Sequence, residues 1–437
     1  MRWKTDTYSG WGRALWATGE IARPEKLSAL ADCLSDGLAP AIGMRRSYGD
    51  VGLNSGGRVI DMTRLDRILG FDRKTGILEV EGGCQIGTLA RLYAPRGWLP
   101  AVMPGTGFAT VAGCIANDVH GKNHHGAGTF GQHVESLVLH TGVGRKVISA
   151  SRSKALFQAT IGGLGQTGVI VAAKLRMQPC KGDVVMVTER RAENFDNFLE
   201  LLDSAHATYT VGWVDATATG ENLGRGILEE AEIGSGLVPS PKRARSVPFN
   251  APGWALAKPV VKAFNAAYYR RVPESGRTLV KPINDFFFPL DAIHNWNRLY
   301  GKHGFHQFQC VVPEDASETL RRMLNLIAGA GLASPLAVIK RMGPGRGGMM
   351  SFPIDGYSLA VDFRNRPATA VLVAELEEIT RNANGRIYLA KDSLARGATI
   401  RAMYPARAKW AAEVAKVDPE RHFESDLIRR LDLRTTQ

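Results

Sequence analysis

Four of the ten histidines lie in one glycine-rich stretch of the chain, residues 104–133. It reads PGTGFATVAGCIANDVHGKNHHGAGTFGQH and holds seven glycines, four histidines and one lysine. Glycine permits positive φ and lets the backbone approach a ligand closely. Successive backbone N–H groups in such turns form a nest that suits a diphosphate. By composition alone, the stretch fits an anion site and a plain run of tight turns equally well.

The motif His120-Gly-Lys122-Asn-His124-His125 offers metal-binding side chains without the spacing of a metal site. It lacks the carboxylate of an HExxH helix, and no cysteine pair accompanies it. The five cysteines are scattered with no CxxC pair, which argues against a disulfide framework or a structural zinc site. The chain also has no GxSxG elbow and no Walker loop. We therefore predict no metal, and find no candidates for hydrolytic or phosphoryl-transfer chemistry.

A second glycine pattern, Gly163-Leu-Gly165-Gln-Thr-Gly168, matches GxGxxG. A Rossmann dinucleotide site needs a helix directly after these glycines, so that the helix N-terminus meets the pyrophosphate. Here the glycines precede the β-branched run 169–175. We predict a glycine turn that leads into a strand.

Length and composition indicate a soluble protein of two or three domains, since the chain has 437 residues, 44% of them hydrophobic and 22% charged. No apolar run approaches the ~18 residues that span a bilayer, and the first residues lack an apolar h-region. The default expectation is a cytoplasmic location, with peripheral contact at the inner face of the membrane as an additional possibility.

The net charge of +13 suits nucleic acid, an anionic membrane surface or a phosphorylated substrate. The chain has no helix-turn-helix or RNA-binding signature, so we predict no nucleic-acid partner. Basic residues are densest over 242–271, where they mix with proline and aromatic residues. This span fits membrane-surface contact and a solvated, mobile loop about equally.

Hydrophobic periodicity predicts an α+β chain without the regular βα spacing of a doubly wound sheet. The predicted helices are 24–38, 86–94, 192–206, 313–329, 368–382, 405–416 and 420–431. The predicted strands are 39–42, 59–62, 77–81, 134–141, 169–175, 209–215, 305–312, 356–363 and 385–389. Residues 216–285 read as a long loop-rich region, mobile or functional.

Two of these strands have informative parity. Phe308, Cys310 and Val312 fall on one face of strand 305–312, while Gln307 and Gln309 fall on the other. In strand 356–363, Leu359, Val361 and Phe363 alternate with Ser358, Ala360 and Asp362. The polar faces fit either a sheet that roofs a cavity or a sheet with one wet face.

Several motifs together resemble the vanillyl-alcohol-oxidase-like flavoproteins, which have a PCMH-type FAD-binding domain. They are Arg46-Ser-Tyr-Gly-Asp50, Pro104-Gly-Thr, Thr110-Val-Ala-Gly113, His120 to His125 and Tyr388-Leu-Ala-Lys391-Asp-Ser. Within that superfamily, the chain is similar to the decaprenylphosphoryl-β-D-ribose 2′-oxidase family over nearly its whole length, least over 216–285.

The resemblance implies a two-domain fold with an antiparallel-sheet substrate domain. Residues 1–180 would form the FAD-binding domain and 181–385 the substrate domain, with 386–437 returning to the first. The implied catalytic residues are Lys391, His120, Lys122 and Tyr388, and the implied substrate residues are Gln307, Gln309, Lys340, Ser358 and Asp362. The implied FAD-binding residues are Ala41, Ile42, Gly43, Met44, Arg45, Arg46, Ser47, Tyr48, Gly49, Asp50, Val51, Gly105, Thr110, Val111, Ala112, Gly113, His120, Ile170 and Tyr388.

The chain departs from its relatives at four positions. Covalent members of the superfamily often carry a histidine where this chain has Arg46, or a cysteine near Phe108, so we expect non-covalent FAD. Ala360 stands where the nearest family has a cysteine beside the flavin, which predicts insensitivity to inhibitors that need the thiol. Ser358 replaces an asparagine, which leaves the identity of the substrate open.

The implied reaction is hydride transfer from a carbinol carbon to the flavin, with Lys391 as base or alkoxide stabiliser and His120 or Lys122 sharing the charge. A lysine acts this way only if its pKa is lowered; the alternative is an ordinary ion pair between Lys391 and Asp392. Tyr388 and Lys391 have opposite parity, so both reach the flavin only if the strand ends or bulges near 389–390.

Three functions remain open. The first is oxidation of a sugar hydroxyl on a polyprenyl-phosphate-linked pentose, the 2′-oxidation step of an epimerisation that a partner short-chain reductase completes. The second is oxidation of a soluble sugar, alditol or aldonolactone. The third, from another class, is a non-catalytic basic protein that docks on membranes or nucleic acid.

Overall fold

The computed structural model describes residues 2–240 and 244–435. Its helices combine with three larger sheets, two of them wholly antiparallel, which agrees with the predicted α+β class. The helices are α1 (Leu27–Asp36), α2 (Ile86–Tyr93), α3 (Val111–Ala116), α4 (His124–Ala127), α5 (Lys154–Thr160), α6 (Phe195–Asp203), α7 (Lys258–Arg270), α8 (Ile283–Phe287), α9 (Glu318–Ala330), α10 (Pro367–Asn382), α11 (Gly397–Met403), α12 (Arg407–Val417) and α13 (Asp426–Leu431). Within the described ranges, none of the helices has the length and apolar character needed to cross a membrane.

The first 179 residues build two sheets. A four-stranded sheet in the order β1-β2-β4-β3 contains β1 (Lys4–Ser9), β2 (Trp16–Ala22), β3 (Ala41–Ile42) and β4 (Arg58–Asp61). A six-stranded sheet in the order β5-β6-β10-β8-β9, with β7 also on β10, contains β5 (Ile68–Asp72), β6 (Ile77–Glu81), β7 (Trp98–Pro100), β8 (Val134–Thr141), β9 (Gly144–Ser149) and β10 (Val169–Pro179).

The turn before β10 explains the GxGxxG pattern. Gly165 and Gly168 both adopt positive φ, and β10 begins directly at Val169. Because a strand follows these glycines, the predicted glycine turn is confirmed and a Rossmann unit is absent at this position.

The third sheet has eight antiparallel strands in the order β15-β11-β13-β12-β18-β19-β17-β20. Two short strands, β14 (Arg245–Ser246) and β16 (Ile293–His294), pair separately. The strands of the large sheet are β11 (Val184–Ala192), β12 (Tyr209–Val214), β13 (Gly226–Gly234), β15 (Arg277–Pro282), β17 (Phe305–Pro313), β18 (Ala333–Met342), β19 (Gly356–Arg364) and β20 (Arg386–Ile387).

The two faces of the large sheet differ as their parity predicted. Phe308, Cys310 and Val312 of β17 and the apolar residues of β19 are buried in one core with α9 and α10. The opposite face carries Gln307, Gln309 and Ser358, which line a cavity. The sheet therefore roofs a cavity rather than exposing a wet face.

The prediction of a loop-rich region over 216–285 is wrong. The region contains β13, α7, β15 and α8, and β13 pairs along its whole length with β11 and β12. The sequence of β13, GILEEAEIG, is rich in glutamate and glycine, which are depleted in strands, but pairing on both sides outweighs this weak propensity. Lys242 and Arg243, which open the predicted basic span, lie outside the described residues.

Other differences concern the ends of elements. Helix 192–206 is shorter than predicted, because Ala192 ends β11 and the Asn194 side chain caps α6 by accepting a hydrogen bond from the Asn197 N–H. The predicted closing helix 420–431 is helical only from Asp426. Predicted strand 385–389 is reduced to the two residues of β20, with consequences for the site.

Candidate active site

The cavity has a volume of about 510 Å³, a size typical of ligand sites. Its walls come from the loops after β3 and β7, from α3, from the polar face of the large sheet and from the turn after β20. Most of the predicted site residues line it: Ala41, Ile42, Gly43, Met44, Arg45, Arg46, Ser47, Tyr48, Gly49, Val51, Gly105, Thr110, Ala112, Gly113, His120, Lys122, Ile170, Gln307, Gln309, Lys340, Ser358, Tyr388 and Lys391.

Three predicted residues are absent from the cavity wall. Asp50 turns away to accept hydrogen bonds from Arg430, at 2.7 Å from Nε and 2.9 Å from Nη2. Val111 is the first residue of α3, and its side chain is fully buried in an apolar core. Asp362 lies behind Gln307, where it accepts hydrogen bonds from Gln307 Nε2 at 2.5 Å and from the Tyr300 hydroxyl at 2.9 Å. Direct cofactor or substrate contact is therefore not supported for these three.

The loop 43–51 and the start of α3 form a cradle that suits an extended cofactor. At Gly43, a Cβ would lie 2.4 Å from Thr110 Oγ1, so only glycine lets these two segments approach so closely. Thr110 caps α3 by accepting a hydrogen bond from the Gly113 N–H at 3.2 Å. The guanidinium of Arg46 lies 4.0 Å from the Trp11 ring centroid, and its Nε is buried without a hydrogen-bond partner among the described residues. A glycine-lined groove with one unsatisfied cationic donor fits the phosphate-bearing part of FAD.

The turn after β20 brings Tyr388 and Lys391 to the same cavity. Because β20 ends at Ile387, the N–H groups of Lys391 and Asp392 both donate to the Tyr388 carbonyl, at 2.9 and 3.1 Å. This tight turn removes the conflict of parity, so the predicted end of the strand is confirmed. The Tyr388 ring stacks on Phe352 at 4.7 Å between centroids, and its hydroxyl donates to the Asn117 carbonyl at 3.2 Å.

Lys391 is not engaged in an ordinary ion pair with Asp392. Its ammonium lies 3.5 Å from the centroid of the Tyr48 ring, while Asp392 accepts a hydrogen bond from Arg430 Nη2 at 2.8 Å. Burial lowers the pKa of Lys391 to about 8, an effect that the charge of Asp362 opposes. Arg430 therefore joins the 43–51 loop, through Asp50, to the lysine turn, through Asp392.

His120 is held as a neutral imidazole. Its Nε2 lies 3.0 Å from Gln309 Nε2, and since an amide nitrogen can only donate, the imidazole nitrogen must accept. Burial and the nearby charges of Lys340, His124 and Lys391 keep the pKa of His120 well below its ordinary value. The second amide hydrogen of Gln309 points to Ser358 Oγ at 3.4 Å.

Two further lysines line the cavity. Lys122 donates from Nζ to the Phe286 carbonyl at 2.6 Å and lies 3.8 Å from Glu229 Oε2, so its charge is used there rather than beside His120. Lys340 makes no hydrogen bond or ion pair through its ammonium within the part of the chain that the structure describes. Burial and the charges of Lys122 and Lys391 lower the pKa of Lys340 to about 7.

The histidine motif is distributed over separate tasks. His124 Nδ1 accepts a hydrogen bond from the Gly343 N–H at 3.0 Å, and His125 Nε2 lies 3.1 Å from the Ala207 carbonyl. In residues 2–240 and 244–435, no group of histidine, cysteine and acidic side chains is arranged to hold a metal ion.

Sequence reasoning missed several charged residues of the cavity: Glu229, Arg271 and Lys281. They belong to β13, the end of α7 and β15, all within the region predicted as loop. Ile227, Glu229 and Ala231 lie on the same face of a strand, because successive residues alternate between faces. The apolar residues on either side of Glu229 are the signal that could have placed it on an inward face.

Comparison with known proteins identifies the chain as a flavoprotein. A family described as FAD binding domain matches residues 29–149. Decaprenylphosphoryl-beta-D-ribose oxidase of Mycolicibacterium smegmatis is 36% identical over 456 aligned residues, which cover 98% of each chain. An uncharacterized protein of Streptomyces coelicolor is 32% identical over 366 residues, 79% of this chain and 99% of that protein.

More distantly, L-gulono-1,4-lactone dehydrogenase of Mycobacterium tuberculosis is 24% identical over 443 residues, 97% of this chain and 98% of that protein. FAD is thus the cofactor that the cradle accommodates, and the enzyme is an oxidoreductase acting on CH–OH groups. The chain belongs to the decaprenylphosphoryl-β-D-ribose oxidase family.

Proposed function

We propose that this enzyme oxidises a hydroxyl group of a polyprenyl-phosphate-linked pentose to a ketone. The observation that carries the proposal is the position of the Lys391 ammonium at the cavity wall, against the Tyr48 ring rather than on Asp392, in the cavity that His120 and Gln309 also line. The name of the 36% identical relative supports the substrate class. FAD, when bound, supplies the acceptor for the hydride that leaves the carbinol carbon.

Lys391 takes the hydroxyl proton. Because burial lowers the pKa of Lys391, a much larger share of its side chains is neutral near pH 7.5 than the roughly one in a thousand of an ordinary lysine. The amine nitrogen accepts the proton as the carbinol carbon loses hydride, so the alcohol becomes a ketone and Lys391 becomes an ammonium ion. While the proton and hydride leave, the partial negative charge on the substrate oxygen is stabilised by the ammonium that forms on Lys391.

Gln309 positions the sugar. Its two amide hydrogens are directed to His120 and Ser358, which leaves its carbonyl oxygen to accept a hydrogen bond from a substrate hydroxyl. His120 keeps Gln309 in this orientation because a neutral imidazole can accept only at the nitrogen that carries no proton. These contacts hold the reacting carbon in one orientation toward the cofactor.

Anaerobic reduction of the bound flavin tests the substrate. A short polyprenyl-phosphate pentose should bleach the flavin absorbance, whereas free pentoses and L-gulono-1,4-lactone should not. The second candidate, oxidation of a soluble sugar or aldonolactone, is favoured only by the lactone dehydrogenase similarity. If only the soluble compounds reduced the flavin, our proposal would be overturned and the second candidate would be favoured. The non-catalytic alternative is not supported by the family.

Replacement of the proposed base gives an independent test. Lys391→Ala should retain FAD and lose flavin reduction by substrate. Lys409→Ala, at an exposed position of α12, removes the same charge away from the cavity and should reduce at the wild-type rate. Undiminished reduction in Lys391→Ala would remove Lys391 from the mechanism.

We also propose that the enzyme works at an anionic membrane surface, with a cytoplasmic location. Phe249 and Trp254 are each 70% exposed and Phe264 is 50% exposed. The chain from 235 to 270 has six basic residues and no acidic one. Exposed aromatic side chains beside unbalanced positive charge suit an anionic lipid surface. Vesicles containing phosphatidylserine should co-sediment with wild type, and less with Trp254→Ala; equal binding to neutral vesicles would contradict the charge argument.

The reaction implies a partner. In an epimerisation by oxidation and reduction, the keto sugar is an intermediate that must be reduced again. We therefore propose that a separate short-chain reductase reduces the keto sugar that this enzyme forms. Coupled assays should yield the epimeric alcohol only when such a reductase is present. Formation of the epimer by this enzyme alone would refute the need for it.

We further propose two domains, 1–180 with 386–437 for FAD and 181–385 for the substrate. The first ten strands lie within residues 4–179, whereas the large sheet is built from 184 onward and takes only its edge strand, β20, from the segment 386–437. Limited proteolysis should cut near residues 180 and 385; cuts confined to the interior of either part would contradict these boundaries.

A further inference from the structure

A group of charged side chains lines the part of the cavity between β13, β15 and the end of α7. Glu229 faces three cations: Lys281 Nζ at 3.1 Å from Oε1, Arg271 Nη2 at 3.8 Å from Oε1, and Lys122 Nζ at 3.8 Å from Oε2. Lys340 lies on the same wall and has no anionic partner among the described residues. Positive charge here therefore exceeds what Glu229 neutralises.

The second acidic residue of the group, Glu189, adds little to this balance. It is fully buried behind the wall and accepts hydrogen bonds from Arg271 Nη1 at 2.9 Å, Arg277 Nε at 2.6 Å and Lys281 Nζ at 3.3 Å. Four basic side chains thus share two carboxylates, and Lys340 is a fifth that contacts neither. The excess charge faces the cavity, because four cations, Lys122, Lys340, Arg271 and Lys281, line this part of it against two carboxylates, Glu229 and Asp285.

Sheet register places this group at a defined distance from the reaction residues. Lys340 of β18 is the direct cross-strand neighbour of Ser358 on β19, and Val211 of β12 is that of Glu229 on β13. Strands β12 and β18 pair at Gly212 and Ile339, so Val211 and Lys340 each lie one residue beyond that pair. Since adjacent strands are about 4.8 Å apart, Lys340 lies one strand from Ser358 and about 10 Å, two strands, from Glu229. Gln309 donates to Ser358, so the residues that orient the sugar lie directly beside Lys340.

This spacing matches a pentosyl phosphate. Three covalent bonds of about 1.5 Å separate C2 of the sugar from the phosphorus atom, so the phosphate lies about 4 Å from the oxidised carbon. With that carbon beside Gln309, the phosphate falls next to Lys340, on the side of the cavity wall that continues to Lys122, Lys281 and Arg271.

We propose that Lys340, together with Lys122, Lys281 and Arg271, binds the phosphate of a lipid-linked sugar. This inference rests on the proposed function. Lysine and arginine donate charge-assisted hydrogen bonds to phosphate oxygens, and the bound anion offsets the burial cost of the unpaired Lys340 ammonium. The phosphate contacts therefore select phosphorylated over free sugars.

Calorimetry on the FAD-loaded protein tests the site without turnover. Geranyl phosphate, a short polyprenyl phosphate with no sugar to oxidise, should bind; geraniol should not. Lys340→Met and Lys281→Gln should each weaken geranyl phosphate binding about tenfold or more, because each removes a charged donor. Lys409→Gln, an exposed lysine of α12 outside both proposed surfaces, should bind like wild type.

The outcomes separate this site from the reaction. Inorganic phosphate that binds as tightly as geranyl phosphate supports the site and assigns it to the phosphate group alone. No binding by wild type, or unchanged binding in both variants, overturns the site. If geranyl phosphate binds but the lipid-linked pentose does not reduce the flavin, only the proposed function is overturned. If the lipid-linked pentose reduces the flavin but both variants bind geranyl phosphate as wild type does, only the phosphate site is overturned.

Discussion

Replacing Lys340 with methionine should make the protein more stable, and the gain should depend on pH. Burial and the charges of Lys122 and Lys391 lower the pKa of Lys340 from 10.5 to about 7. Each pKa unit corresponds to about 1.4 kcal/mol, so the charged side chain costs the folded state about 4 kcal/mol at pH 7, as an order of magnitude. Methionine has a similar volume and no charge, and removes that cost.

The sign of the pH dependence follows from the direction of the shift. A lysine whose pKa is lowered by folding destabilises the fold most at and below its folded pKa, because the unfolded chain then holds the proton more tightly. The penalty fades as pH rises toward 10.5, and at pH 9.5 it is about 1.4 kcal/mol. The advantage of Lys340→Met should therefore shrink by about two thirds between pH 7 and pH 9.5.

Thermal unfolding of the FAD-loaded proteins, at equal free FAD, measures this difference. An unfolding entropy of about 2.1 cal/mol/K per residue converts 4 kcal/mol into roughly 5 °C at pH 7, if the chain unfolds as one unit. Lys262→Met, on the exposed side of α7, should change the midpoint by less than 1 °C. An unchanged midpoint for Lys340→Met at pH 7, or the same gain at both pH values, would refute the view of Lys340 as a partly buried, unpaired cation.

Three further predictions concern the cofactor and the base. Acid precipitation should leave the flavin in the supernatant, because Arg46 and Phe108 offer no covalent attachment; colour in the pellet would contradict this. Gly49→Ala should lower the melting temperature, because the new Cβ would lie 1.8 Å from the Asp392 carbonyl oxygen. A Cβ at Gly105 would meet no atom within 4 Å, so Gly105→Ala and wild type should melt at the same temperature when both are free of FAD. Stopped-flow flavin reduction should accelerate as pH rises through about 8, where Lys391 becomes neutral, and a pH-independent rate would exclude it as the base.

The sequence was most informative where backbone geometry is regular. Alternation in β17 and β19 correctly separated the core side chains from Gln307, Gln309 and Ser358, because successive residues of a strand point to opposite faces. The turn at Tyr388–Lys391 was also predictable, since two residues of opposite parity could share the cavity only if the strand ended.

Where the backbone is irregular, the sequence alone could not predict which side chains face the cavity. Contiguous motifs such as 41–51 or 110–113 contain residues that point away from the cavity, as Asp50 and Val111 do, and loop or helix-start geometry cannot be read from residue types alone. The cluster around Glu229 escaped because β13 has poor strand propensity and exists through its two neighbouring strands. Its partners come from β15 and the end of α7, more than forty residues away in sequence.

The guanidinium of Arg430 has a thermodynamic consequence. It binds Asp50 of the cofactor loop and Asp392 of the lysine turn at the same time. FAD that orders the cofactor loop therefore also favours the native position of the lysine turn. By thermodynamic linkage, a substrate that orders the lysine turn must favour FAD binding by the same factor. Affinity for FAD and affinity for substrate should thus rise together by one common factor, and cutting this connection at Arg430 should leave two sites that bind independently.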